Sequence, residues 1–228
     1  MKKNHVPEIN PRRAKRRQGP AILSAAHWDS QYRVGHLPWE TGRPSGELRR
    51  VLGRGGWRFV RVIELGCGTG VNAVWMAQQG LQVTAVDLSP LAIKQARHRA
   101  WAAGVAVRFL TANLLDACRL GGPYDFFFDR GCYHAVRRVD AQGYVRTLES
   151  VTRSSSWGLV LAGNADEPED PIGPPVVTRG VIEEELGHSF NIVHLRAFRF
   201  DHAPGYPRRY LGWSCLLRRR RRPGSERG

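Results

Sequence analysis

A short run of glycines at residues 66–70 constrains this chain more than any other feature of its sequence. The run follows a β-rich stretch at residues 59–65 and precedes a helical pattern at residues 71–79. Glycines at such a junction let the backbone turn tightly and approach a ligand closely, because they carry no Cβ atom. The sequence therefore predicts a strand, a ligand-binding turn and a helix in succession.

The same alternation of β-rich and helical stretches continues along the chain. Further strands are predicted at residues 81–86, 105–110, 124–128 and 157–162. Helices are predicted from Ser24 to Tyr32 and at residues 91–102, 141–152 and 183–186. Strands that alternate with helices indicate βαβ units and a parallel sheet. The last two predicted strands, near residues 192–198 and 210–217, have no helix between them, so we expect an antiparallel hairpin at one edge.

Charge is concentrated at the two ends of the chain. The net charge is +15 over 228 residues, yet residues 1–19 alone carry seven basic residues and one acid, and residues 218–228 carry six and one. Residues 1–20 also contain three prolines and little apolar periodicity, a composition typical of disorder. We therefore expect a basic arm at residues 1–20, one folded domain at residues 21–217 and an Arg-rich tail at residues 218–228.

The composition excludes several classes of protein. The four cysteines are far apart and no His cluster has metal-ligand spacing, so neither a disulfide framework nor a metal site is expected. No apolar run approaches the ~20 residues of a membrane span. No apolar stretch follows the basic start, which excludes a secretory signal and leaves an organelle presequence open. We expect a cytoplasmic protein without a membrane partner.

Two acidic residues flank the glycine turn and indicate which ligand it binds. Gly66, Gly68 and Gly70 follow a Gly-x-Gly-x-Gly pattern, whereas pyrophosphate-binding turns have Gly-x-Gly-x-x-Gly. Glu64 would repel a phosphate but attract an amino group, and Asp87, at the end of the next strand, is placed to bind ribose hydroxyls. This combination predicts S-adenosylmethionine. The alternatives are an NAD site and a glycine turn that binds nothing.

Residues 62–96 resemble motif I and the following stretch of class I methyltransferases. The resemblance implies an α/β fold with a Rossmann-like, doubly wound sheet of seven strands, mostly parallel, with an antiparallel C-terminal edge hairpin. It implies ribose binding by Asp87, adenine contacts from Leu88, Asn113 and Leu114, and a place beside the methyl group for Asp129. The implied cofactor-binding residues in this part of the chain are Glu64, Gly66, Gly68, Gly70, Asp87, Leu88, Asn113, Leu114 and Asp129.

An aromatic segment near the N-terminus narrows the resemblance. Trp28 lies shortly before the pair Pro38-Trp39; this is explained either by ordinary packing or by attraction between aromatic faces and a sulfonium cation. The segment is similar to the N-terminal signature of the thiopurine, thiol and halide methyltransferase group, which implies that Trp28 and Trp39 cover the cofactor. Residues 129–131 and 173–177 resemble the same group. Ala141 stands where thiopurine-type enzymes have an acceptor-contacting Arg, which argues against a thiopurine acceptor.

The candidate catalytic residues follow the fourth predicted strand. A thiol acceptor must lose its proton, and Asp129 or His134 is expected to take it, with His134 better matched to neutral pH. A halide would need no base. We expect Tyr133, Cys132 and Arg130 to line the acceptor pocket, and Asp129, His134 and Tyr133 to form the catalytic set. The alternative interpretation is that His134 is a packed or solvated histidine and that Cys132 is a small buried packing residue.

The sequence as a whole predicts an S-adenosylmethionine-dependent methyltransferase. The expected acceptor is a small thiol, halide or related chalcogen compound. One alternative is a nucleic-acid methyltransferase whose basic tails bind phosphates; another is a protein that binds S-adenosylmethionine without catalysis. The sequence does not predict an oligomeric state.

Overall fold

The computed structural model describes residues 24–221 except His36, Gly56, Phe59, Ile172, His202 and Pro207. The predicted basic arm at residues 1–20, the first residues assigned to the folded domain, and residues 222–228 of the predicted Arg-rich tail therefore lie outside the described residues.

Eight strands form one mixed sheet through the described part of the chain. They are β1 (Arg61–Leu65), β2 (Gln82–Asp87), β3 (Val107–Thr111), β4 (Tyr124–Arg130), β5 (Thr152–Asn164), β6 (Val176–Val177), β7 (Phe190–Arg199) and β8 (Leu211–Arg219). The order is β3-β2-β1-β4-β5-β8-β7, and β6 pairs with β5. Strands β1 to β5 pair in parallel, whereas β8 is antiparallel to both β5 and β7.

The predicted α/β architecture is confirmed, but the predicted number of strands is wrong. The extra strand, β6, has only two residues, too few to show a hydrophobic pattern in the sequence, and it pairs with Gly163 and Asn164 at the end of β5. The antiparallel hairpin of β7 and β8 is present as expected. Strand β8 continues to Arg219, so the first two residues of the predicted tail belong to the sheet.

Six α-helices accompany the sheet in the described residues. They are α1 (Ala25–Val34), α2 (Gly46–Leu52), α3 (Val71–Gln78), α4 (Pro90–Ala102), α5 (Tyr133–Val151) and α6 (Arg179–Gly187). Helix α4 starts with Pro90 in its first turn, as predicted, and the Ser89 hydroxyl caps it by accepting the Ala92 N–H. None of these helices is both long enough and apolar enough to cross a bilayer.

Two helices differ from the sequence prediction. Helix α2 was not predicted, although Ser45 caps its N-terminus and Glu47 occupies its first turn, because it has only seven residues. Helix α5 begins at Tyr133, well before the predicted start at residue 141, and contains non-helical backbone at Asp140 (φ −152°, ψ 83°). The predicted helix corresponds to the part of α5 beyond this break.

The core covers both faces of the sheet. On one face, Phe127 packs with side chains of α5 and with Phe190. On the other, Phe126 and Phe128 pack with side chains of α2, α3 and α4. The order reverses at β1, which lies between β2 and β4, and open α/β sheets bind ligands at the carboxyl ends of the strands at such a point. The fold therefore places a crevice beside Leu65, Asp87 and Arg130.

Candidate active site

A crevice of about 500 Å³ lies at the carboxyl ends of β1, β2 and β4. Helix α1, residues 37–45 and the loop at residues 200–210 contribute its other walls. Twelve of the predicted site residues line it: Trp28, Trp39, Glu64, Gly66, Gly68, Asp87, Leu88, Asn113, Leu114, Arg130, Cys132 and His134.

The glycine turn forms the floor of the crevice. Gly66 and Gly68 have positive φ angles of 65° and 53°, which favour glycine. A Cβ atom on Gly66 would lie 2.9 Å from the Cβ of Cys132, and one on Gly68 would lie 2.9 Å from the Tyr32 hydroxyl. A side chain at either position would therefore clash with Cys132 or Tyr32.

Gly70, predicted to contact the cofactor, does not line the crevice. It is the N-cap residue of α3 with φ 80°, and a Cβ atom there would lie 2.8 Å from the Cβ of Ala96 in α4. Its role in the structure is to let α3 and α4 approach each other closely. The third glycine of the motif thus serves helix packing.

Glu64 presents an unpartnered carboxylate oxygen in the crevice. The side chain is buried; its Oε1 accepts a hydrogen bond of 2.9 Å from the Asn72 amide, while its Oε2 has no partner among the described residues. Burial raises the pKa of Glu64 to about 8. A buried acceptor without a donor is costly unless a ligand supplies one, and a ligand ammonium group would do so.

Asp87 and Asn113 are fixed by backbone groups but retain free hydrogen-bonding capacity. Asp87 accepts the N–H of Gly68 (2.8 Å) and that of Ser89 (2.9 Å), one on each carboxylate oxygen. Burial raises its pKa. A carboxylate has about four lone-pair sites, so two hydroxyl donors can still bind. Asn113 uses Oδ1 to accept the Leu115 N–H (3.0 Å), which leaves its NH₂ group as a donor.

Aromatic rings cover this end of the crevice. Trp39 makes edge-to-face contacts with Trp28 (5.8 Å between ring centroids) and Tyr32 (6.3 Å). Helix α1 is held in place by Asp29, which accepts hydrogen bonds from the Ser89 hydroxyl and the Leu91 N–H at the start of α4. The rings provide an apolar cover that attracts a cation.

Asp129, predicted beside the reacting group, is fully buried and does not line the crevice. Its Oδ1 accepts the Cys132 N–H (2.9 Å), and its Oδ2 accepts the Tyr133 N–H (2.9 Å) and the Tyr144 hydroxyl (2.7 Å). Burial raises its pKa to about 6. The carboxylate faces inward because α5 starts immediately after β4 and its first N–H groups need an acceptor. Asp129 therefore stabilises the turn between β4 and α5.

Tyr133, predicted as a catalytic residue, also lies outside the crevice. It is buried in the core as the first residue of α5, and its hydroxyl donates a hydrogen bond of 2.7 Å to Glu185 in α6. Arg137 pairs with the same carboxylate. The early start of α5 turns this side chain toward α6, so Tyr133 joins the two helices.

His134 lines the crevice but is not arranged as a base. Its Nδ1 accepts the backbone N–H of Gly163 over 3.0 Å, so the ring carries its proton on Nε2. Burial, together with the charges of Arg130 and Arg138, lowers its pKa to about 3. The neutral ring therefore donates from Nε2, which corrects the expectation that His134 accepts the proton of a thiol.

Arg130 and the loop at residues 200–210 form a further wall of the crevice. The Arg130 guanidinium donates to the carbonyl oxygens of Trp39 (2.9 Å) and Asp201 (3.4 Å) and lies over the Phe200 ring. From the sequence this loop was predicted only as the connection between the two strands of the antiparallel hairpin. Because β8 runs antiparallel to β5, the hairpin must turn at the carboxyl edge of the parallel strands, and this topological signal would have placed it at the site.

Comparison with known proteins is consistent with this geometry. Residues 62–155 match a family described as "Methyltransferase domain". The chain is 36% identical over 124 residues to tRNA 5-carboxymethoxyuridine methyltransferase of Escherichia coli, covering 52% of this chain and 46% of that protein. It is 24% identical over 149 residues to 2-heptyl-1-hydroxyquinolin-4(1H)-one methyltransferase of Mycobacteroides abscessus, covering 64% and 65%. It is 29% identical over 76 residues to probable thiol methyltransferase 2 of Arabidopsis thaliana, covering 33% and 34%. The chain thus spans from one third to just under two thirds of the length of these relatives.

Solved structures share the fold. The chain superposes on a structure titled "Conversion of a Disulfide Bond into a Thioacetal Group during Echinomycin Biosynthesis" with a TM-score of 0.75 at 23% identity, covering 86% of this chain and 93% of the other. It superposes on magnesium protoporphyrin IX methyltransferase of Synechocystis with bound S-adenosylmethionine with a TM-score of 0.58 at 19% identity, covering 87% and 83%. Residues 62–155 therefore resemble a methyltransferase domain, and the solved structures, each less than 25% identical to the chain, show that it shares their fold.

Proposed function

We propose that this chain transfers a methyl group from S-adenosylmethionine to a small nucleophilic acceptor, specifically a thiol, a halide or a related chalcogen compound. The observation that carries the proposal is the unpartnered Oε2 of Glu64 in a crevice that Trp28 and Trp39 cover. The Glu64 carboxylate would accept hydrogen bonds from the amino group of the cofactor, and the rings of Trp28 and Trp39 would attract its sulfonium. Trp28, Trp39 and residues 129–131 are also the positions that carry the resemblance to the thiol and halide group.

The residues of the crevice fit the cofactor from end to end. Glu64 would bind its ammonium group, Asp87 its ribose hydroxyls, and Leu88, Asn113 and Leu114 its adenine. The close approach at Gly66 and Gly68 leaves the space that such a ligand needs. When bound, S-adenosylmethionine supplies an electrophilic methyl group on a positively charged sulfur.

The part of the crevice that would hold the acceptor contains hydrogen-bond donors and apolar side chains that exclude water. The Nε2–H of His134 and the guanidinium of Arg130 would orient an acceptor that carries negative charge or lone pairs. Phe200, Trp39 and the proline-rich residues at 173–175 would exclude water from it, which raises the reactivity of a soft nucleophile. Since Asp129 has no free access to the crevice and His134 is held as a donor, an acceptor that enters as an anion fits this arrangement best.

Two proteins that are similar in sequence to this chain suggest the main alternative, an RNA acceptor. The tRNA methyltransferase named above, and the ribosomal RNA small subunit methyltransferase C of Chromohalobacter salexigens, act on RNA by name. The net charge of +15 also favours binding to phosphates. Against this alternative, the crevice is walled by α1 and by two chain segments, which favours a small acceptor.

A panel of acceptors tests the proposal. The full chain is supplied with methyl-labelled S-adenosylmethionine and, in separate reactions, with alkyl and aryl thiols, hydrosulfide, iodide, or total RNA. We expect label in a small volatile or thioether product. Label that enters RNA and none of the small compounds would contradict the proposal. A Glu64→Gln variant, which should lose cofactor binding, is the control for background transfer.

A further inference from the structure

A second cavity lies between helix α2 and the face of the sheet formed by β5, β8 and β7. Its volume is about 470 Å³, and it shares no lining residue with the crevice. We call it the α2 groove. The lining residues that matter are Arg50, Arg54, Trp57, Trp157, Arg196 and Ser214.

One buried carboxylate fixes two of the arginines. Glu47 accepts two hydrogen bonds from Arg50 (2.7 and 2.9 Å), and it also accepts one from Arg196 and one from the Ser214 hydroxyl. Burial opposes the ionisation of Glu47, but the hydrogen bonds from Arg50 and Ser214 and the charge of Arg196 outweigh it and lower its pKa. Two guanidinium groups therefore share one negative charge, and one positive charge remains in excess.

Other basic groups in and beside the groove add to this excess. Among the described residues, no acidic side chain pairs with Arg54 or Arg218. The Nε atom of Arg196 is buried and has no hydrogen-bond partner in the described part of the chain. A buried N–H without an acceptor is unfavourable, so an anionic oxygen at this position would stabilise the groove.

Aromatic rings lie next to the arginines. Trp57 and Trp157 contact each other edge to face, with 5.0 Å between ring centroids. The guanidinium of Arg218 lies over the Trp157 ring at 5.4 Å. Tryptophan faces and guanidinium planes bind nucleobases by stacking, and arginines bind phosphates by charge-assisted hydrogen bonds. The groove, together with Arg218 beside it, presents both kinds of group in one place.

We propose that the α2 groove binds a nucleotide, with the base against Trp57 and Trp157 and the phosphate on Arg54, Arg196 and Arg218. The nucleotide is either free or part of a single RNA strand, since both present the same chemistry. Because the groove and the crevice share no lining residue, this binding is separate from methyl transfer and does not depend on which acceptor is methylated.

Binding of a labelled oligonucleotide to the full chain tests this proposal. Fluorescence anisotropy is measured with a fluorescein-labelled decamer of adenylate at several salt concentrations. The double variant Arg54→Gln and Arg218→Gln should weaken binding at least about tenfold. It should also reduce the slope of log affinity against log salt by up to about 0.7, the contribution of the one phosphate of a single strand that these arginines bind. The matched control, Lys94→Gln with Arg119→Gln, removes the same charge from exposed positions outside the groove and should weaken binding less than about twofold.

Competition experiments identify the source of the nucleotide. Unlabelled AMP should displace the decamer and adenosine should not, because the phosphate is required. A decamer that binds far more tightly than AMP indicates an RNA strand, and equal affinities indicate a free nucleotide. The proposal is overturned if the wild-type chain binds neither probe, or if the groove variant and the control variant lose the same affinity. Both double variants should bind S-adenosylmethionine with the affinity of the wild type. A loss of nucleotide binding can therefore be distinguished from a failure of the proposed methyl transfer.

Discussion

The backbone N–H of Gly163 donates a hydrogen bond of 3.0 Å to Nδ1 of His134, and this contact decides what the imidazole can do. Gly163 lies near the end of β5 and His134 in the first turn of α5. With Nδ1 occupied as an acceptor, Nε2 carries the proton and faces the crevice as a donor. The lowered pKa, about 3, keeps the ring neutral near pH 7.

We expect His134→Gln, which keeps an N–H donor, to retain more activity than His134→Phe. Loss of a hydrogen bond to a charged acceptor is worth about 1.5–3 kcal/mol, so His134→Phe should lower kcat/KM by about one to two orders of magnitude. With iodide as acceptor, and with S-adenosylmethionine saturating at each pH, the rate should not change as pH crosses the ordinary titration range of histidine. A rate that falls below pH 6 in the wild type and not in His134→Gln would show instead that His134 gains a proton in this range, which contradicts its lowered pKa.

Asp129 should matter for stability more than for direct contact with ligands. Asp129→Asn places an amide where three donors converge and should lower the free energy of unfolding by about 1–3 kcal/mol, while Tyr144→Phe, which removes one of the donors, should cost less. The control Asp116→Asn, at an exposed position, should have little effect. Chemical denaturation measures all three.

The pH dependence of stability gives an independent check on Asp129. Its folded-state pKa of about 6 lies above the ordinary Asp value of 3.8. The folded state therefore binds more protons between pH 4 and pH 6, and the free energy of unfolding from this group falls as pH rises through that window. The fall should be smaller in Asp129→Asn, and an unchanged profile would contradict the assignment.

Gly70 and Gly80 form a matched pair for testing the helix contact. Both have φ near 80°, but a Cβ atom on Gly70 would meet Ala96 at 2.8 Å, whereas one on Gly80 would meet nothing within 4 Å. Gly70→Ala should therefore lower the free energy of unfolding by about 1–3 kcal/mol more than Gly80→Ala. Equal losses of unfolding free energy in the two variants would mean that α4 can move away from residue 70 without an energetic cost, and would contradict this role of Gly70.

Trp39 should contribute to cofactor affinity through its ring. Cation–π attraction of about 0.5–2 kcal/mol predicts that Trp39→Ala weakens S-adenosylmethionine binding by roughly 2-fold to 30-fold. S-adenosylhomocysteine, which lacks the positive sulfur, should be affected less. Trp101→Ala is the control, because Trp101 is 78% exposed on α4 and does not line the crevice. Equal effects on the two ligands would contradict a role for the sulfonium charge.

The glycine turn and its acids were predictable from sequence because their geometry is local. Glu64 lies two residues before Gly66, and Asp87 ends the adjacent parallel strand, so strand pairing alone brings them to one edge. The same reasoning failed for Asp129, although it also lies near the end of a parallel strand. Its direction depends on Tyr144, fifteen residues further along the chain, and on the early start of α5, neither of which a strand pattern encodes.

The acceptor side was the least predictable part of the site. Arg130 contacts Phe200 and Asp201. These contacts exist only because the β7–β8 hairpin packs against β5, which brings together segments that are distant in sequence. Asn72 is the second residue of α3. Its side-chain NH₂ donates a hydrogen bond to Glu64, and its Oδ1 accepts the Ser45 N–H. A polar residue at the start of the helix after a glycine turn is a signal that sequence analysis can use.

Calorimetric titration of S-adenosylhomocysteine and S-adenosylmethionine into the wild type and Glu64→Gln, from pH 6 to pH 8, tests the central claim most directly. Below pH 8 most Glu64 side chains are protonated in the free protein, and an ammonium ligand requires the carboxylate, so binding should release about one proton. Affinity should then rise with pH, by up to about tenfold per unit, and Glu64→Gln should bind weakly without this rise. Tight binding to Glu64→Gln with the same pH dependence as the wild type would contradict the account.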